Sequence, residues 1–280
     1  MTAALLPPRD FDCETAHGSI YHHGAQVVDW TPTGQSPVIW LSRQTKLLDN
    51  MAIRGGIPIC WPWFGAGRTG VSSPLHGFAR LSEWRLVKTW EQAESCRATM
   101  ILVNARQDKF NHPYRLTLEV EFAATLRVNL SVRNTGNQRF SFEEALHTYL
   151  RVGDIDQVTV AGLDGVEYLD RVSGHELGPH IQNGDIHITE ETDRIYHHDG
   201  EVTINDPALG RRLTITPQGS HDAVVWNPWA DKAKAMTDFA DDEYKSMICV
   251  ETANVAEHEV TLAPGREHSV GFTLAVESID

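Results

Sequence analysis

The chain has few cysteines and no long apolar run. Its four cysteines, Cys13, Cys60, Cys96 and Cys249, form no Cys-x-x-Cys pair and follow no regular spacing. A chain of 280 residues can bury a substantial core without disulfide staples, so we expect reduced thiols. Nowhere do about 18 apolar residues follow one another, as a membrane-spanning helix requires. Residues 1–10 also lack the basic start of a signal peptide, and together these absences predict a cytoplasmic protein.

Positive charge is scarce as well. The 38 Asp and Glu residues outnumber the 24 Lys and Arg residues, which gives a formal net charge of −14. This charge repels phosphate backbones and anionic lipid headgroups, and the sequence contains no basic run that would overcome it. We therefore expect no nucleic-acid partner, no membrane partner and a monomer. An anionic small molecule would be bound only if several Arg side chains gathered in one pocket.

Helical periodicity is almost absent, and alternation of apolar and polar residues takes its place. The clearest cases are residues 114–122 and 126–133, where every second residue is apolar; turn residues 134–137 then precede Phe140-Ser-Phe142. Further strands are predicted at 25–30, 38–41, 84–90, 96–103, 202–204, 213–215, 223–226, 247–251, 260–262 and 270–276. Many short strands without strand–helix alternation predict an all-β fold, an antiparallel sandwich or barrel.

The domain organisation follows from the same pattern. Length alone would allow two domains, but all-β sandwiches of this size are often single. Residues 154–200 form the most loop-like part, yet Leu163, Tyr168 and Leu169 give it apolar anchors. No repeat or linker interrupts the chain. We predict one domain over residues 1–280.

Two familiar motifs lack the context that they need. Gly65, Gly67 and Gly70 fit a dinucleotide-binding template, but two prolines lie in residues 58–64 and no helix pattern follows. Among fourteen histidines, the adjacent pairs at 22–23 and 197–198 would each point to opposite faces of a strand. No His-x-His or His-x-x-x-His spacing occurs, so we expect neither a nucleotide nor a metal site. A single His from each pair could still join a distant ligand.

Two arginines occur beside glycine-containing turns. Arg54 precedes two glycines and a proline in residues 52–58, and Arg80 ends the segment Leu75-His-Gly-Phe-Ala-Arg80. Glycines let the backbone approach a ligand closely, and guanidinium groups grasp phosphate or vicinal hydroxyl oxygens. The alternative is that both arginines pair with carboxylates on an acidic surface. The residues themselves leave both interpretations open.

Two titratable residues stand among apolar neighbours. His147 shares the predicted strand face of Ala145 and Tyr149, and Glu251 ends the apolar run 247–251. A carboxylate in such surroundings has a raised pKa, in the range useful for proton transfer. The alternatives are a satisfied core histidine and a buried structural salt bridge. Asp193, alone, is typical of a turn or helix cap.

Several segments together resemble the glucose-6-phosphate 1-epimerases, also called hexose-6-phosphate mutarotases, which are related to the aldose 1-epimerases. The resemblance rests on Ile53-Arg-Gly-Gly-Ile-Pro58, Trp61-Pro-Trp-Phe-Gly65, His76-Gly-Phe-Ala-Arg80, Leu146-His-Thr-Tyr-Leu150, Glu191-Thr-Asp-Arg-Ile-Tyr196, Val225-Trp-Asn-Pro-Trp229 and Met247-Ile-Cys-Val-Glu251. These segments follow the family's order over nearly the whole chain. The resemblance implies a large antiparallel β-sandwich of the galactose mutarotase-like type.

The resemblance also implies roles for individual residues. It makes His147 and Glu251 the catalytic pair, and it makes Arg54, Arg80, Asp193 and His76 substrate-binding residues. One position departs from the family, since some relatives have a glutamine that touches substrate where this chain has Leu75. This difference concerns the choice of sugar more than the reaction.

The implied reaction interconverts the α and β anomers of a hexose 6-phosphate. A base removes the proton of the C1 hydroxyl while an acid protonates the ring oxygen, and the opened aldehyde closes on its other face. Both steps are proton transfers, so we expect no cofactor, and the expected partner is a small-molecule hexose phosphate. Two alternatives remain, an aldose 1-epimerase acting on unphosphorylated sugar and a non-catalytic carbohydrate-binding protein.

Overall fold

The computed structural model describes residues 3–103 and 109–279; residues 1, 2, 104–108 and 280 of the predicted domain lie outside this part. The described residues form strands β1 Arg9–Cys13, β2 Ala16–Ile20, β3 Val27–Pro32, β4 Ile59–Cys60, β5 Trp84–Glu91, β6 Cys96–Leu102, β7 Tyr114–Phe122, β8 Leu126–Asn134, β9 Phe140–Phe142, β10 Glu144–Leu146, β11 Tyr149–Arg151, β12 Thr159–Ala161, β13 Glu167–Asp170, β14 His180–Ile181, β15 Ile186–His187, β16 Thr192–Tyr196, β17 Val202–Asp206, β18 Arg211–Gln218, β19 Asp222–Asn227, β20 Met247–Asn254, β21 Val260–Leu262 and β22 Glu267–Ser278. One α-helix, α1 Trp229–Ala235, and short 3₁₀ turns at Ala79–Leu81, Ile155–Gln157, Pro207–Leu209, Glu243–Ser246 and Ala256–His258 complete the described structure.

Two large antiparallel sheets dominate the fold. The nine-stranded sheet has the order β15-β12-β17-β18-β22-β8-β7-β6-β5. The eight-stranded sheet has the order β14-β13-β16-β19-β20-β10-β4, and β11 pairs with β20 as well. Smaller sheets, β1-β2-β3 and β9-β21, flank them.

The inner faces of the two sheets share one hydrophobic core. Leu118 and Leu130 enter it from the nine-stranded sheet, and Val225, Val250 and Tyr196 enter it from the eight-stranded sheet. Full burial of one such aliphatic side chain contributes about 1.5–3 kcal/mol. A continuous core of this kind holds the sheets together as a sandwich.

The prediction of an all-β antiparallel sandwich is confirmed. The strands with the strongest alternation, 114–122 and 126–133, appear as β7 and β8. Residues 38–41 form only isolated bridges, such as Ile39 with Leu150, rather than the predicted strand. Residues 154–200, interpreted as loops, contain β12 to β16, which are too short for alternation to reveal.

The outer face of the eight-stranded sheet is covered as well. Every residue of β19 and β20 is buried, although an alternating strand with one solvated face would be buried only at every second position. On this outer face, Trp40, Tyr149, Trp226 and Phe239 form part of a second apolar cluster. Polar side chains on the outer face are therefore removed from water.

No helix within residues 3–103 and 109–279 is both long and apolar enough to cross a membrane.

Candidate active site

The strand register of the eight-stranded sheet brings His147 beside Glu251. Strands β10 and β11 both pair with β20, with Leu146 opposite Thr252 and Tyr149 opposite Cys249. His147 lies in the short break between β10 and β11, whereas the sequence pattern had placed it inside a strand. Its Nε2 atom is 3.3 Å from Glu251 Oε1.

Burial controls the charge of this pair. The side chains of His147 and Glu251 are 9% and 1% exposed, and His147 Nδ1 and Glu251 Oε2 have no hydrogen-bond partner. Burial raises the pKa of Glu251 well above its usual value, and nearby Asp193 adds to the effect. Burial also lowers the pKa of His147 well below its usual value, helped by the cations Arg80 and Arg54. Both shifts favour the uncharged forms, which are protonated Glu251 and neutral His147.

Aromatic rings hold the histidine in place. The imidazole of His147 stacks on the ring of Tyr149, with a centroid distance of 4.8 Å and 9° between the planes. Trp226 meets His147 edge-on at 5.9 Å, and the ring of His76 lies 5.7 Å away. These contacts limit the ring to one orientation towards Glu251.

Arg54 forms hydrogen bonds with two neighbouring residues and also lines the cleft. Its Nη1 donates to the Tyr149 hydroxyl at 2.9 Å, and its Nε donates to Asp238 Oδ2 at 3.3 Å. The structure therefore shows a carboxylate partner for Arg54, one of the two interpretations left open by the sequence. The same side chain also lines the cleft beside His147.

Arg80 has unused hydrogen-bonding capacity. Its Nη2 donates to the Leu75 carbonyl at 2.9 Å, while its buried Nε has no partner. Burial lowers the pKa of Arg80, because the charged guanidinium group is poorly solvated in the cleft. A bound anion would satisfy it.

The turn that leads to Arg80 depends on a glycine. His76 has φ +60° and Gly77 has φ +73°, and a Cβ on Gly77 would overlap the Trp61 carbonyl.

The Gly65 amide donates to His76 Nδ1 at 3.4 Å, which leaves the proton of the neutral ring on Nε2. Burial lowers the pKa of His76 well below its usual value, so this ring is neutral.

Asp193 is part of a strand. It lies inside β16 opposite Trp226, so the interpretation as a turn or cap residue was wrong. Burial raises its pKa, and Lys232 and Arg171 oppose that shift. Asp193 thus brings a carboxylate to the outer face, close to Glu251.

One cleft of about 300 Å³ contains all six residues that the resemblance implicates: Arg54, His76, Arg80, His147, Asp193 and Glu251. Leu75, Trp226 and the motif residues Phe64 and Gly65 also line it, as do three residues that the sequence did not reveal: Arg171, Lys232 and Met236. Arg171 belongs to a polar loop and Lys232 to α1, and neither stands in a motif that would have singled it out. Four cationic side chains therefore line one cleft of a strongly acidic protein.

Other features of the surface lack this chemistry. A larger hollow of about 520 Å³ on the nine-stranded sheet is lined by residues such as Lys88, Trp90 and Arg97, without any histidine. In the described part of the chain, three donor groups close enough to hold a metal ion occur at His197, Asp222 and His258, outside the cleft.

The chain is similar to known proteins over most of its length. The aldose 1-epimerase family profile matches residues 14–275. A protein of Escherichia coli K12, provisionally named glucose-6-phosphate 1-epimerase, is 37% identical over 236 residues, which cover 84% of this chain and 78% of that protein. A Cenchrus ciliaris protein of the same provisional name is 37% identical over 261 residues, 89% of this chain and 78% of that protein.

A solved structure agrees with the sequence comparison. The crystal structure of a Salmonella typhimurium protein, provisionally described as a mutarotase, superimposes with a TM-score of 0.89 at 30% identity. The superposition covers 96% of this chain and 90% of that one. The resemblance deduced from the motifs is thereby confirmed, and the chain belongs to the aldose 1-epimerase family.

Proposed function

We propose that the protein interconverts the α and β anomers of a hexose 6-phosphate, with glucose 6-phosphate as the first candidate. The observation that carries this proposal is the cleft in which Arg54, Arg80, Arg171 and Lys232 surround the buried pair His147 and Glu251. In a chain of net charge −14, four cations that line one cleft indicate an anionic ligand, although Lys232 also pairs with Glu191 and Arg54 with Asp238. The names of the two relatives point to the same substrate.

The pair would open the sugar ring by two coupled proton transfers. Glu251 takes the proton of the C1 hydroxyl, the bond between C1 and the ring oxygen breaks, and protonated His147 gives its proton to that oxygen. The products are the open-chain aldehyde, neutral His147 and protonated Glu251. Rotation about C1–C2 presents the other carbonyl face, and the ring closes with the two roles reversed.

The burial of Glu251 and His147 favours the proton transfers of the ring-opening step. The ring-opening step leaves the uncharged forms of Glu251 and His147, which are the forms that their pKa shifts favour. Before the step, His147 must carry the proton. A phosphate bound by Arg54 and Arg80 would remove the repulsion that these cations exert on protonated His147, so substrate binding prepares the acid.

The remaining polar groups would position the sugar phosphate. We assign the 6-phosphate to Arg54 and Arg80, because a guanidinium group can donate two parallel hydrogen bonds to phosphate oxygens. Asp193 and His76 would then bind sugar hydroxyls, Asp193 as an acceptor and His76 through its Nε2 proton. The reaction as written needs no cofactor, because every step is a proton transfer between these residues and the sugar.

The test is the rate of anomer exchange with glucose 6-phosphate and with glucose, measured by exchange NMR above the spontaneous rate. A double variant, His147→Asn with Glu251→Gln, controls for catalysis by other protein groups. Acceleration of the phosphorylated sugar alone supports the proposal. Preferential acceleration of glucose would instead show an aldose 1-epimerase for unphosphorylated sugar, and binding without acceleration would show a carbohydrate-binding protein.

A further inference from the structure

A second cluster of polar side chains lies outside the cleft, where three elements of the fold meet. His197 directly follows β16, Asp222 begins β19, and His258 ends the 3₁₀ turn Ala256–His258. Asp222 Oδ1 lies 3.1 Å from His197 Nδ1 and 2.8 Å from His258 Nδ1. The three donor atoms all lie within 4.8 Å of one another.

The cluster combines a fixed carboxylate with accessible imidazoles. The Asp222 side chain is fully buried, and its Oδ2 accepts a hydrogen bond from the Val255 amide at 2.9 Å. The His197 and His258 side chains are 17% and 33% exposed, so an ion in solution can reach them. Within residues 3–103 and 109–279, no Lys or Arg forms an ion pair with Asp222. A buried carboxylate of this kind calls for a cation.

Two further carboxylates, those of Glu257 and Glu167, lie near the outer side of His197. Its second ring nitrogen, Nε2, is buried and has no hydrogen-bond partner, although Glu257 Oε1 lies 3.0 Å away and Glu167 Oε1 lies 3.9 Å away. Histidines that bind metals characteristically direct their other nitrogen to a carboxylate, which fixes the tautomer and strengthens the ligand. Here Glu257 is the nearest carboxylate to Nε2 and would take that place after a small change in side-chain angle, while Nδ1 faces Asp222.

We propose that His197, Asp222 and His258 form a binding site for a divalent transition-metal ion, for which Zn²⁺ is the best fit. Two imidazole nitrogens and one carboxylate oxygen are ligands that Zn²⁺ prefers, with water in the remaining position. Tetrahedral coordination with bonds of about 2.0–2.1 Å separates neighbouring donors by roughly 3.3 Å. Two of the present separations, 3.1 and 2.8 Å, are close to that value, and all three donor atoms lie within 4.8 Å of one another.

The position of the cluster indicates what such an ion would do. Strand β16 carries Asp193 towards the cleft and leads on to His197, and an apolar cluster that includes Ile195, Val224 and Ala253 separates the two ends. The metal would therefore stay out of the acid–base step. It would tie the ends of β16 and β19 to the turn that contains His258, and it would stabilise the folded chain in proportion to its occupancy.

The test uses the full chain freed of metal by a chelator. Zn²⁺ binding is measured by calorimetry, and Co²⁺ is used as a probe because its visible absorption reports the ligand set. We expect one Zn²⁺ per chain and a rise in Tm on its addition. His258→Gln should weaken Zn²⁺ binding at least tenfold and abolish the Co²⁺ bands, whereas His187→Gln, which changes an exposed histidine on β15, should alter neither.

A further variant distinguishes a metal site from a hydrogen-bonded cluster. Glu257→Gln leaves all three ligands in place and should weaken Zn²⁺ binding by about tenfold or more, the usual effect of removing such an outer carboxylate. It changes an exposed side chain, so the fold should be retained. Absence of saturable Zn²⁺ binding by the unmodified protein, or equal binding by the His258→Gln variant, would overturn the proposal.

Discussion

Tyr149 connects the histidine of the cleft to one of its arginines. Its ring stacks on His147 at a centroid distance of 4.8 Å, and its hydroxyl accepts a hydrogen bond from Arg54 Nη1 at 2.9 Å. Burial raises the pKa of Tyr149, so the hydroxyl keeps its proton. Tyr149 therefore contacts both the proposed acid, His147, and the proposed phosphate-binding residue, Arg54. Its side chain fixes the distance between them.

Replacing Tyr149 with Phe should weaken substrate binding and leave the catalytic rate nearly unchanged. The stacking on His147 remains, but Arg54 loses one hydrogen bond and becomes less well oriented. Because hydrogen bonds to charged groups contribute about 1.5–3 kcal/mol, we expect KM for glucose 6-phosphate to rise roughly tenfold, with kcat nearly unchanged. Tyr168→Phe on β13 is the control. A collapse of kcat at constant KM would contradict this role for the hydroxyl.

Glu251→Gln and His147→Asn should each remove a proton-transfer group. General acid–base catalysis contributes about 10²–10⁴-fold, so kcat for anomer exchange should fall by that factor in either variant. Binding of glucose 6-phosphate, measured by calorimetry, should change little. Exposed residues provide matched controls, Glu119→Gln on β7 and His187→Gln on β15. Unchanged turnover of Glu251→Gln would remove this residue from the mechanism.

Arg80→Lys should weaken the preference for phosphorylated sugar. Lysine keeps the positive charge but cannot offer the planar pair of donors that a phosphate accepts. We expect kcat/KM for glucose 6-phosphate to fall about 10–100-fold relative to that for glucose, as the loss of a charged hydrogen bond predicts. Arg97→Lys, in the remote hollow, serves as the control. An equal fall for both sugars would indicate that Arg80 supports the fold instead.

The pKa shifts of the pair predict the pH dependence. The reactive form holds one proton, so acid inactivates it when a second proton enters at His147, whose pKa lies well below 6.5. Alkali inactivates it when the proton leaves Glu251, whose pKa lies well above 4.5. Activity should therefore persist at pH 6.5 and fall on the acid side only well below that pH, and on the alkaline side it should fall at a pH well above 4.5.

The substrate phosphate ionises near pH 6 itself, so the histidine must be followed separately. Imidazole ¹⁵N shifts of His147 in the sugar-free enzyme provide that measurement, with His187 as an exposed reference. We expect His147 to stay neutral at pH 6.5. Titration at or above the ordinary histidine pKa would show that burial does not control this pair.

Gly77→Ala tests the turn that presents His76 and Arg80. The new Cβ would occupy a left-handed backbone conformation and overlap the Trp61 carbonyl. We expect a loss of more than about 2 kcal/mol in the free energy of unfolding, measured with urea. Gly70→Ala is the matched control, since Gly70 also has positive φ but nothing lies within 4 Å of its Cβ position. That variant should lose only about 1 kcal/mol, and equal losses would refute the steric explanation.

Sequence patterns predicted the fold class because alternation reports one buried and one solvated face. It was strongest in β7 and β8, where solvent reaches every second residue. It failed for the strands between residues 154 and 200, which are only two to five residues long. It also did not show that both faces of β20 are covered, because the covering segments are distant in sequence.

The candidate site shows the same limit. Motifs pointed to the six cleft residues, but Arg171 and Lys232 reach the cleft from a loop and a helix without any motif. The grouping of His197, Asp222 and His258 was likewise invisible, since each comes from a different element. The expectation of no metal site rested on spacing within one segment, and such spacing does not report side chains that only the tertiary structure brings together.

The antiparallel register of β20 with β10 and β11 has a consequence for how the protein could diversify. His147 and Glu251 are placed by backbone hydrogen bonds between paired strands, whereas Leu75, Arg171 and Lys232 come from the surrounding loops and the helix. Loops tolerate replacement far better than paired strands do. Grafting the loops of another sugar-binding relative onto this sheet should therefore change which sugar enters while the ring-opening machinery is inherited intact.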